Sequence, residues 1–233
     1  MSDVTLRISD GSSARAFVAR AEGRRGAPGL ILFQEAFGVN AHIRDVAGRF
    51  AGEGFVVIAP EMFHRTADPG FEAGYDDFDS VRPHMSALTP DGIEADARAA
   101  HEFLTGDAGV DPARIVAIGY CMGGRCAFLA NAVLPLRAAV SYYGGGIAPA
   151  LLGRAKHLHA PHLFFWGGRD THITPEHRAA IVDALRTAKR PYVNVEMSEG
   201  GHGFFCDQRP SYHADSAAES WALTLEFLRR NLG

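Results

Sequence analysis

The sequence predicts an α/β protein with a mostly parallel, twisted sheet covered by helices on both faces, and three observations carry that reading. Short apolar runs alternate with stretches whose apolar residues fall three and four apart, the rhythm of βαβ units. Most of the strand-like runs are apolar throughout, as strands buried on both faces are. No internal repeat, low-complexity tract or Ser/Gly linker interrupts the pattern, so one domain over residues 1–233 is expected.

The chain opens with two strand-like runs, 4–8 and 14–19, joined at Asp10-Gly11, a turn signal between alternating segments that predicts an antiparallel hairpin. Apolar runs follow at 30–33, 55–58, 115–118, 138–141 and 163–166, and a last run at 193–196 alternates, as an edge strand does. Helical spacing marks 41–52, 92–105, 122–132, 175–188 and 213–231. Thr174-Pro175 is a sound start for the fourth of these, because Thr caps orphan amides and Pro needs no donor at the first helical position. One segment departs from the rhythm. Residues 61–91 link a strand to a helix through Pro69, Pro83, Pro90, several glycines and the aromatics Phe63, Phe71, Tyr75 and Phe78. A connection that long is functional or mobile, and this one is expected to cover a site at the carboxyl ends of the strands. Its cations Arg65 and Arg82 suit an anionic ring-like ligand, while its aromatics suit either that ligand or packing of the loop on itself.

Composition narrows the function classes. With 47% hydrophobic and 21% charged residues the chain is an ordinary globular protein, which excludes disordered, collagen-like and fibrous classes. Lys+Arg number 23 against 27 Asp+Glu, a net charge of −4 without a basic stripe, so neither nucleic acid nor an anionic membrane is a natural partner. A small molecule is the expected partner, and the protein itself is expected to be a monomer or weak homodimer. The first residues, Met1 to Arg7, lack the basic start and apolar run of a secretory signal, and no run approaches the ~20 apolar residues of a membrane span. A cytoplasmic location follows as an expectation. The 3 cysteines, Cys121, Cys126 and Cys206, are too few and too odd in number for a disulfide framework, and read as free thiols.

One of these thiols sits in a motif that carries chemistry. From Ile115 to Gly124 the chain reads as an apolar strand, then Gly-x-Cys-x-Gly-Gly, then a helix, the form of a nucleophile elbow centred on Cys121. A nucleophile on so sharp a turn is strained in φ/ψ, and its neighbours two residues away must be small for the chain to fold past it. Gly119 and Gly123 meet that condition. The helix that begins beside Cys121 presents its positive dipole end to the sulfur, which lowers a thiol pKa, and the Met122 amide can point at an oxyanion. The competing reading is a buried structural cysteine in a Gly-rich turn; Cys126 and Cys206 read as packing or loop thiols.

A thiol nucleophile needs a base, with an acid between the two in chain order. Phe164 to Asp170 ends a strand run with Gly-Gly-x-Asp, and Glu199 to Phe204 places His202 just past the last strand. Asp170 would fix the tautomer of His202 while His202 moves the proton; a capping Asp and a solvated loop His are the plainer alternatives. No His-Glu-x-x-His occurs, and neither His157 with His159 nor His172 with His177 has a further donor at metal-site spacing, so no metal and no cofactor are expected.

Four segments together resemble the dienelactone hydrolase (carboxymethylenebutenolidase) family of the α/β-hydrolase superfamily: Gln34 to Gly38, Gly119 to Gly124, Gly167 to Asp170 and Gly201 to Phe204. The resemblance spans nearly the whole chain in order and implies an α/β-hydrolase fold. It implies Cys121, Asp170 and His202 as a catalytic triad and the Ala36 and Met122 amides as the oxyanion hole. It also gives a role to Glu35, which would hold the resting thiol and help convert it to thiolate when substrate arrives. Read from its own surroundings, Glu35 is a strand-end carboxylate equally suited to a plain salt bridge. The family carries a substrate-binding arginine four residues after the catalytic His, where this chain has Cys206; Arg209 or Arg82 would have to supply that cation. The expected activity is opening of a lactone or related activated ester through a Cys121 acyl-enzyme. A general carboxylesterase or thioesterase on the same triad is the alternative, and a non-catalytic ligand sensor with Cys121 as redox switch is a more distant one.

Overall fold

The computed structural model describes residues 1–20, 26–107 and 109–233. At the turn signal Asp10-Gly11 the glycine takes φ 87°, a region open to it because it has no Cβ. The chain reverses there, and β1 (Ser2–Arg7) pairs antiparallel with β2 (Ser13–Arg20), Ser2 facing Val18 and Arg7 facing Ser13. β2 in turn pairs antiparallel with β4 (Val56–Pro60). Beyond it every pairing is parallel, through β3 (Ala27–Phe33), β5 (Val110–Tyr120), β6 (Ala138–Tyr142), β7 (His162–Gly167) and β8 (Tyr192–Met197). The 8-stranded sheet runs β1-β2-β4-β3-β5-β6-β7-β8. Strand order reverses between β3 and β5, and a doubly wound sheet opens a crevice at such a point.

Parallel strands need crossover helices, and these cover both faces. α1 (Ala41–Gly52) and α6 (Ala214–Leu232) share one face, joined by Phe50 and Trp221 with ring centroids 4.5 Å apart. α3 (Pro90–Gly106), α4 (Met122–Val133), a 3-10 helix (Leu152–His157) and α5 (Pro175–Thr187) form the other layer, each packed on the next. β8 lies at the sheet edge as expected, but its burial does not alternate: Val193 and Asn194 are both exposed, and only Met197 is buried. No helix among the described residues is long and apolar enough to cross a membrane.

Two of the differences from expectation have a local physical cause. α3 begins at Pro90 rather than 92, because Thr89 accepts from the Gly92 amide at 3.1 Å and Pro90 fills the first position, the same Thr-Pro start as at Thr174. Within 61–91 a helix, α2 (Phe78–Ala87), replaces irregular loop. Asp77 caps it through the Ser80 amide at 3.2 Å, and Val81 is its one fully buried side chain, so the apolar period that would reveal it is missing.

A buried polar cluster ties α4 to the sheet. His162 Nε2 lies 2.8 Å from Ser141 Oγ, which itself donates to the Gly124 carbonyl at 2.6 Å, so Nε2 carries the proton. Nδ1 accepts from Asn131 Nδ2 at 3.3 Å. Burial holds this imidazole neutral and pushes its pKa down to about 3 from 6.5. Between those values the unfolded chain binds a proton that the folded chain does not, so stability is complete above pH 6.5 and falls on acidification. The urea midpoint should therefore drop from pH 7 to pH 4, and His162→Gln should remove about one proton from the slope; an unaltered slope in that variant would refute the assignment.

Candidate active site

β5 delivers Tyr120 into the sheet and the chain then turns within one residue into α4. That residue is Cys121, at φ 53° and ψ −118°. An L side chain in this region costs of order 1–3 kcal/mol and persists only where its surroundings fix it. The surroundings do so by removing side chains. A Cβ at Gly119 would overlap the Gly123 carbonyl, one at Gly123 would sit 2.5 Å from the Gln34 carbonyl oxygen, and one at Gly124 would sit 2.5 Å from the Gly144 Cα. The start of α4 is thus pressed onto the end of β3 and the loop after β6, while the Cys121 amide donates to the Tyr142 carbonyl at 3.0 Å.

The two loops that follow β7 and β8 nest for the same reason. A Cβ at Gly167 would lie 2.6 Å from the Gly200 carbonyl oxygen and one at Gly168 2.6 Å from that of Ser198. The nesting sets Asp170 against His202, whose Nδ1 lies 2.8 Å from Asp170 Oδ2. The other Asp170 oxygen accepts from the His172 and Ile173 amides at 2.7 and 3.1 Å. His202 Nε2 then reaches the Cys121 sulfur at 3.1 Å. Carboxylate, imidazole and thiol stand in line, a path by which the thiol proton can pass to Nε2 while Asp170 holds the other nitrogen. Burial pushes the Asp170 carboxyl up, but the bonds from His202 and the two amides outweigh it and leave it below its ordinary value. Burial likewise disfavours the His202 cation, yet the sulfur and Asp170 facing it lift the imidazole to about 10.

Above the sulfur lies a cavity of about 390 Å³. Phe37, Tyr75, Phe78 and Met85 wall it on the cover side, and Met122 and Arg125 on the α4 side. Val81 of α2 packs with Ala36 and Phe37, fixing the cover to the chain just past β3. Ala36 is fully buried in that contact, and Met122 opens α4, so its amide has no intrahelical acceptor. Phe33 pairs with Gly119, which brings the two backbone segments side by side.

The cations sort clearly. Arg209 lines the cavity, its guanidinium carbon 5.6 and 5.8 Å from the Phe37 and Tyr75 ring centroids, and pairs with Glu35 Oε1 at 3.3 Å. Arg82, expected as the other substrate cation, is exposed, bonds Asp79 at 3.1 Å on the same helix and does not line the cavity, because the buried face of α2 turns Val81 onto Ala36 and Phe37. Arg65 is engaged by Asp96 at 2.8 Å and by Asp10 at 2.8 Å, and also lies outside the cavity. Arg125 does line it and was missed; its signal is a cation in the first turn of a helix, where the dipole disfavours one.

Glu35 is 1% exposed and its Oε2 has no partner among the described residues. The Cys121 sulfur bonds His202, with Glu35 turned to Arg209. Cys206 is buried, its sulfur 3.2 Å from the Tyr75 hydroxyl, and burial pushes that thiol up to about 11. With His42 and Asp207 it also forms a group of potential donor atoms within 4.8 Å of one another, though Tyr75 already engages the sulfur. Cys126 is enclosed in α4 and burial raises it to about 12, which makes it inert packing.

Comparison with known proteins fits this geometry. The sequence model of the dienelactone hydrolase family matches residues 14–232. A Salmonella typhimurium protein assigned as a carboxymethylenebutenolidase is 36% identical over 234 residues, covering 96% of this chain and 85% of that protein. Among solved structures, one assigned as a dienelactone hydrolase from Klebsiella pneumoniae superposes with a TM-score of 0.89 at 31% identity, covering 98% of this chain and 97% of that one. A dienelactone hydrolase-like promiscuous phosphotriesterase from metagenomic libraries follows with a TM-score of 0.85 at 26% identity, covering 100% and 99%. The mixed sheet, the crevice at its switch point and the matched sequence make one case: the chain has the α/β-hydrolase fold and belongs to the dienelactone hydrolase family.

Proposed function

We propose that this ester hydrolase opens a lactone or similarly activated ester by covalent catalysis at Cys121, with residues 1–233 acting as one catalytic domain under the 61–91 cover. The observation that carries the reading is the line from Asp170 through His202 to the Cys121 sulfur, at 2.8 and 3.1 Å, on a strained elbow beneath the cavity. The Cys121 thiolate attacks the carbonyl carbon, and the oxygen takes up the electron pair facing the Met122 and Ala36 amides. Collapse breaks the ester C–O bond, leaving a thioester on Cys121 and an enolate or alkoxide that takes the His202 proton. His202 then removes a proton from water, which attacks the thioester and returns the thiolate, releasing a carboxylic acid. An enol-lactone leaves as a stabilised enolate and needs little protonation, which suits a thiolate better than a substrate with a poor leaving group.

Glu35 and Arg209 fit a second part of the cycle. A substrate carboxylate reaching Arg209 would exchange with Glu35, which is one hydrogen-bond length from that guanidinium. The released carboxylate then takes the proton of the resting thiol and returns it when the cycle closes, while His202, already protonated, keeps its own proton for the leaving group. Arg209 thus supplies the cation missing at Cys206.

Cys121→Ala should lower kcat/KM for a dienelactone and for 4-nitrophenyl acetate by at least ~10³-fold, and Asp170→Asn should lower kcat by about 10²–10⁴-fold. Equal hydrolysis by wild type and Cys121→Ala would end the nucleophile assignment. Because His202 keeps its proton up to about pH 10, the rate with an alkyl ester should fall as pH rises through that value, whereas an enol ester, whose leaving group needs no proton, should lack the fall. Arg209→Gln strands the buried Glu35 charge and should cost about 3 kcal/mol of stability, with Glu35→Gln added to it restoring most of the loss; urea unfolding of the single and double variants measures both.

A further inference from the structure

Near the elbow, four buried polar atoms have no partner among the described residues: Glu35 Oε2, the hydroxyls of Tyr120 and Tyr143, and His42 Nε2. They share one neighbourhood. The Tyr120 ring lies 6.3 Å from that of His42 and 6.2 Å from that of Tyr143, whose own ring lies 5.3 Å from His202. Burial keeps both hydroxyls protonated, and the Glu35 charge opposes their ionisation further. Tyr142, stacked on Tyr120 in the same core, shows the ordinary outcome, since Ser220 and Thr224 engage its hydroxyl at 3.0 and 2.6 Å. Buried groups without such partners hold internal water, which several polar contacts are needed to keep.

His42 leads from this pocket to the far side of the molecule. It is 3% exposed on α1, and its Nδ1 stands 3.7 Å from the Asp207 carboxylate, beside a separate cavity of about 170 Å³ between α1 and α6. Nε2 therefore points inward. Burial lowers this imidazole below its ordinary value, while Glu35 within and Asp207 outside favour its cation, Asp45 adds to them and Arg49 opposes them. An imidazole set between two carboxylates can carry a proton from one to the other. Glu35 does not line the crevice above Cys121, so a proton that it takes from the thiol has no exit on that side.

We propose that Glu35 exchanges its proton with solvent through water held by Tyr120 and Tyr143 and through His42, along a path behind the elbow that opens at Asp207. The inference rests on the transfer from thiol to Glu35 proposed above and deepens it, with His42 as a positioning residue that acts through Glu35. On the way out, the Glu35 carboxyl gives its proton to the water and the water passes one to His42 Nε2. His42 then releases its Nδ1 proton to Asp207 and solvent. The return reverses each step, restoring the first tautomer of His42 and the proton that Glu35 hands back to the thiol. Only O–H and N–H bonds form and break, and the count of protons closes over the cycle.

The test follows hydrolysis of a dienelactone by wild type, His42→Gln, Glu35→Gln and the double variant. His42→Gln should lower kcat about tenfold with KM unchanged, and the D2O effect on kcat should rise because proton transfer has become the slow step. In the Glu35→Gln background the same substitution should change kcat by less than about twofold, since the path then has no proton to carry, while its cost in urea stability persists. An equal loss of kcat in both backgrounds would make His42 merely structural and overturn the proposal. A crystal structure of wild type at high resolution supplies a reading that needs no turnover. Ordered water touching Glu35 Oε2, a tyrosine hydroxyl and His42 Nε2 supports the path, and a dry pocket overturns it. If wild type hydrolyses no lactone or ester, the hydrolase reading fails, and the pocket still decides whether the path exists.

Discussion

A methyl group on residue 119 would occupy the space of the Gly123 carbonyl, and one on residue 123 would press into the backbone that ends β3. Those two vacancies let the chain turn from β5 into α4 in a single residue and hold Cys121 at a positive φ. The remaining features of the site are placed by the consequences. The end of β3 must lie against the start of α4, which puts Glu35 and Ala36 beside the elbow. Gly124 must lie against Gly144, which aligns the loop after β6 and, with it, the wall that Arg125 follows. A close backbone approach thus organises the crevice, and the side chains that carry chemistry are added to it.

Electrostatics then arranges what packing has brought together. Asp170 is buried yet held charged by two amides and an imidazole, so it can anchor His202 without taking its proton. His202 in turn is a strong base because both of its neighbours are acids. Glu35 is fully enclosed and has one cationic partner at 3.3 Å, a contact that an incoming anion can compete for. The same enclosure keeps Cys206 and Cys126 protonated, since burial outweighs the pull of Tyr75 and Arg209 beside the first and of Arg125 beside the second.

Much of this was legible in the sequence where the signal is local. Asp10-Gly11, the unbroken apolar runs and the Thr-Pro starts each act within a few residues, so strands and helices follow from them with ends displaced by only a few positions. Cys121, Asp170 and His202, which the fold brings into one line, are legible because each stands past a strand end beside glycines whose purpose is steric. What depends on tertiary geometry was not found. α2 buries one side chain, so its period is too faint to read, and the fate of Arg82 and Arg65 was settled by which way that cover turned and by Asp96 on a distant helix. Arg125 stands two residues past Gly123 in the elbow motif, and only the packing of α4 against the loop after β6 places it on the cavity wall.

The shallow burial of α2 has a consequence for how such a protein diverges. Val81 meets Ala36 and Phe37 in a small cluster of its own, apart from the main core that joins the sheet to its flanking helices. The exposed residues of that helix can therefore be exchanged, and the mouth of the cavity reshaped, with little disturbance to the sheet or to the elbow. Selection on what enters the crevice acts on one set of positions and selection on persistence of the fold on another. A lineage built this way can keep the elbow fixed and still reshape the mouth of its crevice by drift at the exposed positions of a helix that buries only one side chain fully.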